Sequence, residues 1–414
     1  MQTFSFATGE RKFFGICMII GVISLLITFI TDDPLNSRFW SNLLINGSLF
    51  TGIAFISLFL YAAKIIAYSG WHTQFKRVLE SFSQFLGVGL VIMIILGLGT
   101  VFGFHSLYEW NNEELVATDP IIQGKSPFLN WQWYMFATIV FGGSWFFVAR
   151  QLRSLSLKED REGDISFRIH KRMRIWAAIM LPLGGFTSAA AIWLWLMSLD
   201  AHWYSTLYGW YTGASWMVIA VAMIILCIIY LKSRGYYPKV TSDHLHDMGK
   251  YLFAFSIFWA YLWFSQYMLI WYANIGEETI YFKNRMDNYP VLFYANVLIN
   301  FVLPFLVLLR NDTKRKNGTL IFVSIAVIIG HYIDFFLMVK PGVHYTTNKI
   351  LAMTGGPEAT AELSRLTIPG FLELGTFIGF IGLFGYMVFT SLSKAPLVPE
   401  KDPYLEESVH HHVV

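Results

Sequence analysis

The sequence predicts an all-α integral membrane protein with ten transmembrane helices and both termini in the cytoplasm. Composition is the first reason: of 414 residues, 55% are hydrophobic and only 14% charged, whereas a water-soluble surface takes roughly 25% charged residues. Mean hydropathy is +0.51. The second reason is ten windows of the length a helix needs to cross a bilayer, about 20 mostly apolar residues. The third is the placement of basic residues. With the ten windows as spans, 23 of the 30 Lys and Arg fall in the termini and even-numbered loops and 7 in the odd-numbered loops, the bias expected when both ends face the cytoplasm.

The windows run Phe13 to Ile30, Leu43 to Ala63, Phe82 to Phe104, Trp131 to Ala149, Ile175 to Met197, Gly213 to Leu231, Tyr251 to Tyr272, Val291 to Leu309, Thr319 to Val339 and Phe371 to Thr390. They make residues 1–414 a single polytopic domain in which 391–414 is a cytoplasmic tail. The first window follows Arg11 and Lys12 and is followed by Thr31-Asp32-Asp33-Pro34 rather than by a small-residue cleavage site, so it reads as a retained helix. Loop Arg150 to Arg174 holds eight basic residues and reads as a topology signal, or as a collar against anionic headgroups or a partner. Gln123 to Asn130 and Lys340 to Gly370 read as polar segments folded over the outer rim. Gly99 with Gly103, Gly375 with Gly379, and Gly184-Gly185 with Ala189 to Ala191 are expected to let helices approach closely. Pro182 and Pro304 are expected to kink their helices.

Several chemistries are excluded by what the chain lacks. Its two cysteines, Cys17 and Cys227, lie in apolar windows and cannot supply the four ligands of an iron–sulfur cluster or structural zinc. Only His331 of eleven histidines falls well inside a window, so a bis-imidazole haem is not expected. A net charge of +3 without a basic face argues against nucleic acid. The terminal run His410 to His412 is a poor metal site.

Ionisable groups inside a window carry the functional reading, because a charge at mid-membrane costs about 2.5–3.5 kcal/mol on insertion scales. The first six windows hold almost none. In the ninth, His331 and Asp334 are three residues apart on one face, with Asp334 about 7–8 Å from the outer end. Glu373 enters the tenth near the same level, and Gln266, Tyr267, Asn296 and Asn300 occupy the outer halves of the seventh and eighth. All seven are candidates for one wet cavity, as a proton relay or the polar wall of a quinone pocket. The alternatives are a local pair between His331 and Asp334 or with Lys340, and helix–helix hydrogen bonds for the two asparagines. Asp200 and His202, in Ser198-Leu199-Asp200-Ala201-His202-Trp203-Tyr204, with Glu277 and Glu278, are outer-rim or quinone-facing candidates; Lys64, Asp243 and His246 are candidates near the inner surface.

Three stretches carry a family likeness. Ser198 to Gly209 (SLDAHWYSTLYG), Phe253 to Glu278 (FAFSIFWAYLWFSQYMLIWYANIGEE) and Asn300 to Arg310 (NFVLPFLVLLR) resemble the membrane subunits of alternative complex III, a bacterial quinol:cytochrome c oxidoreductase. The nearest type is its second integral subunit, ActF, a relative of the polysulfide reductase (NrfD-like) membrane anchor. The resemblance runs from about the second window to the tenth. It implies two four-helix bundles plus flanking helices in a bacterial inner membrane. It implies as partners a sister polytopic subunit, a periplasmic iron–sulfur subunit and multihaem cytochrome c subunits. No redox centre is expected in this chain; quinone or quinol (menaquinone or ubiquinone) and lipids are the ligands it would meet. Quinol oxidation is assigned by the resemblance to the sister subunit, and proton conduction or closure of the membrane domain to this one. The rivals are a purely structural scaffold and a secondary transporter, the latter disfavoured because no matching Gly/Pro interruptions appear in both halves.

Overall fold

The structure, a computed structural model, describes residues 3–163, 166–354 and 368–412. Among these residues there is no strand, and ten helices are long and apolar enough to cross a membrane. They are α1 (Thr8–Thr31), α2 (Ser37–Ile66), α3 (Thr73–Val101), α4 (Trp131–Glu162), α5 (Arg168–Leu199), α6 (Thr206–Ser233), α7 (Ser242–Ala273), α8 (Pro290–Leu308), α9 (Asn317–Thr354) and α10 (Phe371–Leu392).

Local chemistry sets many of the ends. Asn130 accepts a hydrogen bond from the Trp133 amide (2.8 Å) and caps α4, Thr241 accepts from the Asp243 amide (3.2 Å) and caps α7, and Pro290 opens α8, where its missing N–H is not needed. Gly163 after α4 and Gly235 after α6 have φ of 75° and 85°, a conformation glycine takes without strain. Two helices contain a wider π-turn, Ala137–Gly142 in α4 and Leu298–Val302 in α8, the kind of irregularity that gathers at functional sites.

The windows located every spanning helix, but the helices overrun them. The largest excess is in α9. Lys340 to Thr354 continues as helix through Pro341 instead of folding over the rim; of the expected loop Lys340–Gly370, residues 355–367 lie outside the described residues. Asp334 is therefore mid-helix, about 26 Å along the axis from Asn317 and about 30 Å from Thr354 at 1.5 Å per residue. Hydropathy ends a span where polar residues begin, but here those residues are buried: Lys340, Thr346 and Thr347 are at most 1% exposed.

Helices α2 and α6 form the interior, buried on nearly every side, while α1 and α7 turn most of their apolar residues outward. Helix α2 packs on α3 and α5, α3 and α5 pack on α4, and α6 packs on α7 and α9, which pack on α8; α2 also meets α6 and α9. Helix α1 lies along α10 with no side chain between Gly21 and Gly379: a Cβ on either would come within 2.4 Å of the other's Cα. Gly103 does not join such a seam; it lies beyond α3 in a left-handed conformation.

Candidate functional site

The deepest polar group is Asp334 on α9. Its Oδ1 accepts hydrogen bonds from the Tyr211 hydroxyl of α6 and from Asn296 Nδ2 of α8 (2.8 Å), and its Oδ2 from Ser215 Oγ of α6 (3.0 Å) and Trp259 Nε1 of α7 (3.0 Å). Four helices thus converge on one carboxyl, and neither Asp334 nor His331 has any exposed surface. His331 Nδ1 lies 3.7 Å from Asp334 but 2.8 Å from Ser215 Oγ. Ser215 has a single hydroxyl proton. If it donates to Asp334, its oxygen accepts from His331 Nδ1–H, and Nε2 is left with a bare lone pair. Nε2 has no hydrogen-bond partner, and neither do Oδ1 of Asn300 and Oε1 of Gln266, all buried. Asn300 donates to Asn296 Oδ1 (2.6 Å) from the middle of the π-turn in α8. Gly330 makes room for it, since a Cβ there would sit 2.1 Å from Asn300 Oδ1.

A cavity of about 20 Å³ lies beside Asn296, bounded by Tyr211, Gln266, Tyr281 and Arg285; it is large enough for one water with polar partners. Beyond it, Arg285 donates to Asp200 Oδ2 (2.9 Å) and to the carbonyl of Leu337 (2.9 Å), with its guanidinium 3.4 Å from the Tyr281 ring centre. Burial weighs against the Arg285 charge, but Tyr281 and Asp200 hold its pKa above the usual value. On the far side opens a second cavity of about 390 Å³, lined by Glu109, Asp200, His202, Trp203, Tyr204 and Glu277 among others. His202 Nε2 is 2.6 Å from Asp119 and its Nδ1 3.5 Å from Glu109. Although partial desolvation works the other way, half-buried Asp119 is held below the usual carboxylate range by this hydrogen bond.

Glu373 is not part of this network. It takes a fork from Arg38 (Nε to Oε1 2.6 Å, Nη2 to Oε2 2.8 Å) and the Gly370 amide (3.0 Å), and Lys340 Nζ is 4.0 Å away and bonded to Ser41 Oγ (2.7 Å). One shared chamber for His331, Asp334 and Glu373 is thereby corrected: α9 presents Asp334 to α6–α8 and Lys340 toward α2, with Tyr332 stacked on Phe377 of α10 (4.3 Å). The alternative pairing of His331 or Asp334 with Lys340 is not made for the same reason: Lys340 turns to Ser41 and Glu373. Tyr267 stands outside too, stacked on Trp263 (5.9 Å) and edge-on to Phe282 (5.2 Å). Glu277 borders the second cavity and is exposed; Glu278 is half-buried.

The inner-surface candidates do not form one site. Lys64 Nζ sits over Trp71 (4.0 Å) and Tyr251 (4.7 Å), Asp243 pairs with Arg315 (3.2 Å), and His246 Nδ1 is 3.7 Å from Asp247. A larger ionic cluster lies nearby, where α2 to α5 run past their apolar windows. Arg77 donates to Glu80 (2.8 Å), Ser156 (3.0 Å) and Asp160 (3.1 Å), Ser156 donates to Glu80 (2.6 Å), Lys76 pairs with Asp402, and His170 is 3.2 Å from Glu159. Arg153, expected in an outward collar, turns inward to Ser81 (3.1 Å) and the Ser391 carbonyl (2.8 Å). The apolar windows of the first six spans hold almost no ionisable groups, as read; the cluster sits where the helices continue beyond those windows. The alternation of acids and bases at Lys76, Arg77 and Glu80, then Arg153, Glu159 and Asp160, was the available signal; a loop assignment disguised it as a solvated face. Tyr211, Ser215 and Trp259 had no signal at all, since hydroxyls and indoles are ordinary in membrane helices. No protein-family model matches the sequence, and no curated protein matches it.

Proposed function

We propose that this chain is a proton-conducting membrane subunit of a bacterial respiratory quinol:cytochrome c oxidoreductase of the alternative complex III type, resembling ActF. Its termini lie on the cytoplasmic side of the inner membrane. Helices α2–α5 and α6–α9 make the two four-helix bundles, a division supported by their pairwise packing and by the π-turn in the third helix of each set. The partners are a sister polytopic subunit, an iron–sulfur subunit and multihaem cytochromes, which carry the redox centres.

The observation that carries the proposal is the buried line His331–Ser215–Asp334 with the free Nε2 at one end. A proton added at Nε2 lets Nδ1–H pass to the Ser215 oxygen while the serine proton passes to Asp334. The serine keeps one proton, the imidazole is neutral with its proton on Nε2, and Asp334 is neutral. From Asp334 the one-water cavity, Arg285–Asp200 and the outer cavity lead toward the periplasm. The outer cavity also supplies an aromatic wall in Trp203 and Tyr204 with His202 and Asp200 beside it, suited to a quinol ring, while oxidation itself stays with the sister subunit.

Asp334→Asn in the assembled complex should lower quinol:cytochrome c turnover and proton release by about a hundredfold or more, the usual range for losing a proton-transfer group, with all subunits present. Unchanged turnover and pumping would leave the scaffold reading. The paired π-turns also suit a transporter; solute uptake by the chain alone in vesicles would favour that class instead.

A further inference from the structure

A large apolar cavity lies away from the Asp334 network. Its volume is about 560 Å³, and it runs between α1, α6 and α10, floored by Phe82 of α3 and walled by Phe14, Met223, Leu226 and Phe384. The reason for it is the seam between α1 and α10. Gly21 meets Gly379, Gly375 accepts Ser24, and Gly385 lets the Phe14 ring lie against the α10 backbone. Small residues draw this pair together over its whole length, and α6 stands off from it.

Close packing and the hydrophobic effect decide what fills such a space. A void this size is foreign to a packed interior, and its walls offer water nothing to bond to except at one end. In a bilayer the available solvent is hydrocarbon. The walls extend from Met223 to Tyr230 on α6 and from Ile381 to Phe389 on α10, about 10–12 Å of helix, which covers most of one leaflet of a hydrocarbon core about 30 Å thick.

The polar end is the mouth, where α1 begins and α6 and α10 finish. Glu10 stands there with its charge already engaged: Oε1 accepts from the Tyr230 hydroxyl and lies 3.7 Å from Arg234 Nε, and Oε2 accepts from the Ala7 amide (2.9 Å). Three exposed basic side chains belong to this end of the cleft: Arg234, which reaches Glu10, and Arg11 and Lys12, the next two residues of α1. Arg11 and Lys12 are exposed, Arg11 being steered by the Phe6 ring (5.1 Å), and Arg234 is 51% exposed. Three cations against one engaged carboxylate leave an electropositive rim above a hydrocarbon slot. We propose that this cleft is a specific site for an anionic phospholipid, one acyl chain lying in the slot and the phosphate against Arg11, Lys12 and Arg234. A quinone tail would fit the slot but not the rim, because a neutral ring has no use for three cations.

The test is native mass spectrometry of the full-length protein released from phosphatidylcholine nanodiscs doped with phosphatidylglycerol. One phosphatidylglycerol should remain bound. The variant R11Q/K12Q/R234Q should weaken its retention by about tenfold or more, as expected for basic residues at a headgroup, and Met223→Trp should remove it by filling the slot. Equal retention of the two lipids, retention unchanged in R11Q/K12Q/R234Q, or displacement of phosphatidylglycerol by added menaquinone would overturn the proposal. Should Met223→Trp fail to fold, the exposed charge variant still decides the matter, since none of its three side chains supports the interior.

Discussion

Asp334 and Glu373 are buried carboxyls on consecutive helices, and their partners differ in kind. Glu373 faces cations, a fork from Arg38 and Lys340 at 4.0 Å, so its negative charge is matched by full positive charges and is fixed in place. Asp334 faces only dipoles: a phenol, a serine, an indole and an amide. Dipoles can serve a carboxylate, and the tyrosine, serine and amide can reorganise around a carboxylic acid. An ion pair holds helices together, whereas a carboxyl served by hydroxyls, one of which links it to an imidazole, can gain and lose a proton without stranding a charge. Under the proposed function, the two sites divide the work between anchoring and proton handling.

The strongest test of that division is Arg38→Ala. Removing one partner of a buried ion pair strands the other, a loss of about 3–5 kcal/mol; Arg38 is 21% exposed, which places the expected loss near the lower figure, read as a fall in the thermal midpoint. Adding Glu373→Leu should recover most of it, and Glu373→Gln, once assembled, should leave proton-coupled turnover as it was. A drop in turnover with Glu373→Gln at full assembly would erase the distinction. Next in size is Gly330→Ala. Its methyl would collide with Asn300 Oδ1, so the Asn300–Asn296 bond breaks, at about 1–3 kcal/mol for overpacking. Unchanged stability would mean that the π-turn adapts.

Ser215→Ala removes the link between His331 and Asp334 and leaves both acid and imidazole present. Turnover should fall by about tenfold, near 1.4 kcal/mol, and Ser215→Thr should restore part of it. Equal turnover in the alanine variant would show that protons reach Asp334 by another route. The smallest effect belongs to Asp32, which accepts from the Arg38 and Phe39 amides (3.2 and 2.7 Å) and whose pKa is pushed up to about 6, chiefly by burial. A raised carboxyl pKa means that the folded state holds the proton more tightly. Its contribution is therefore full below about pH 4 and is lost as pH rises through about 6. The thermal midpoint of wild type relative to Asp32→Asn should fall over that interval; a flat difference would remove Asp32 from the Glu373 corner.

Hydropathy is a property of consecutive residues, which is why ten spans and the basic-residue bias were legible along the chain. The same one-dimensional view ended α9 at Val339, because Lys340 reads as a terminus unless Ser41 and Glu373 are known to lie opposite. It also placed His331, Asp334 and Glu373 at one level. Depth is encoded in sequence number; direction around a bundle is not.

What the sequence determined by itself is therefore the number of spanning helices and the rarity of charges within them, since both follow from the free energy of transferring local segments into hydrocarbon. Which donors meet Asp334, which cation meets Glu373, and where α6 stands away from α1 and α10 were decided by tertiary structure. The physical reason is that a buried polar group is satisfied by whichever helix face packs against it, and those faces belong to residues up to 335 positions apart in the chain.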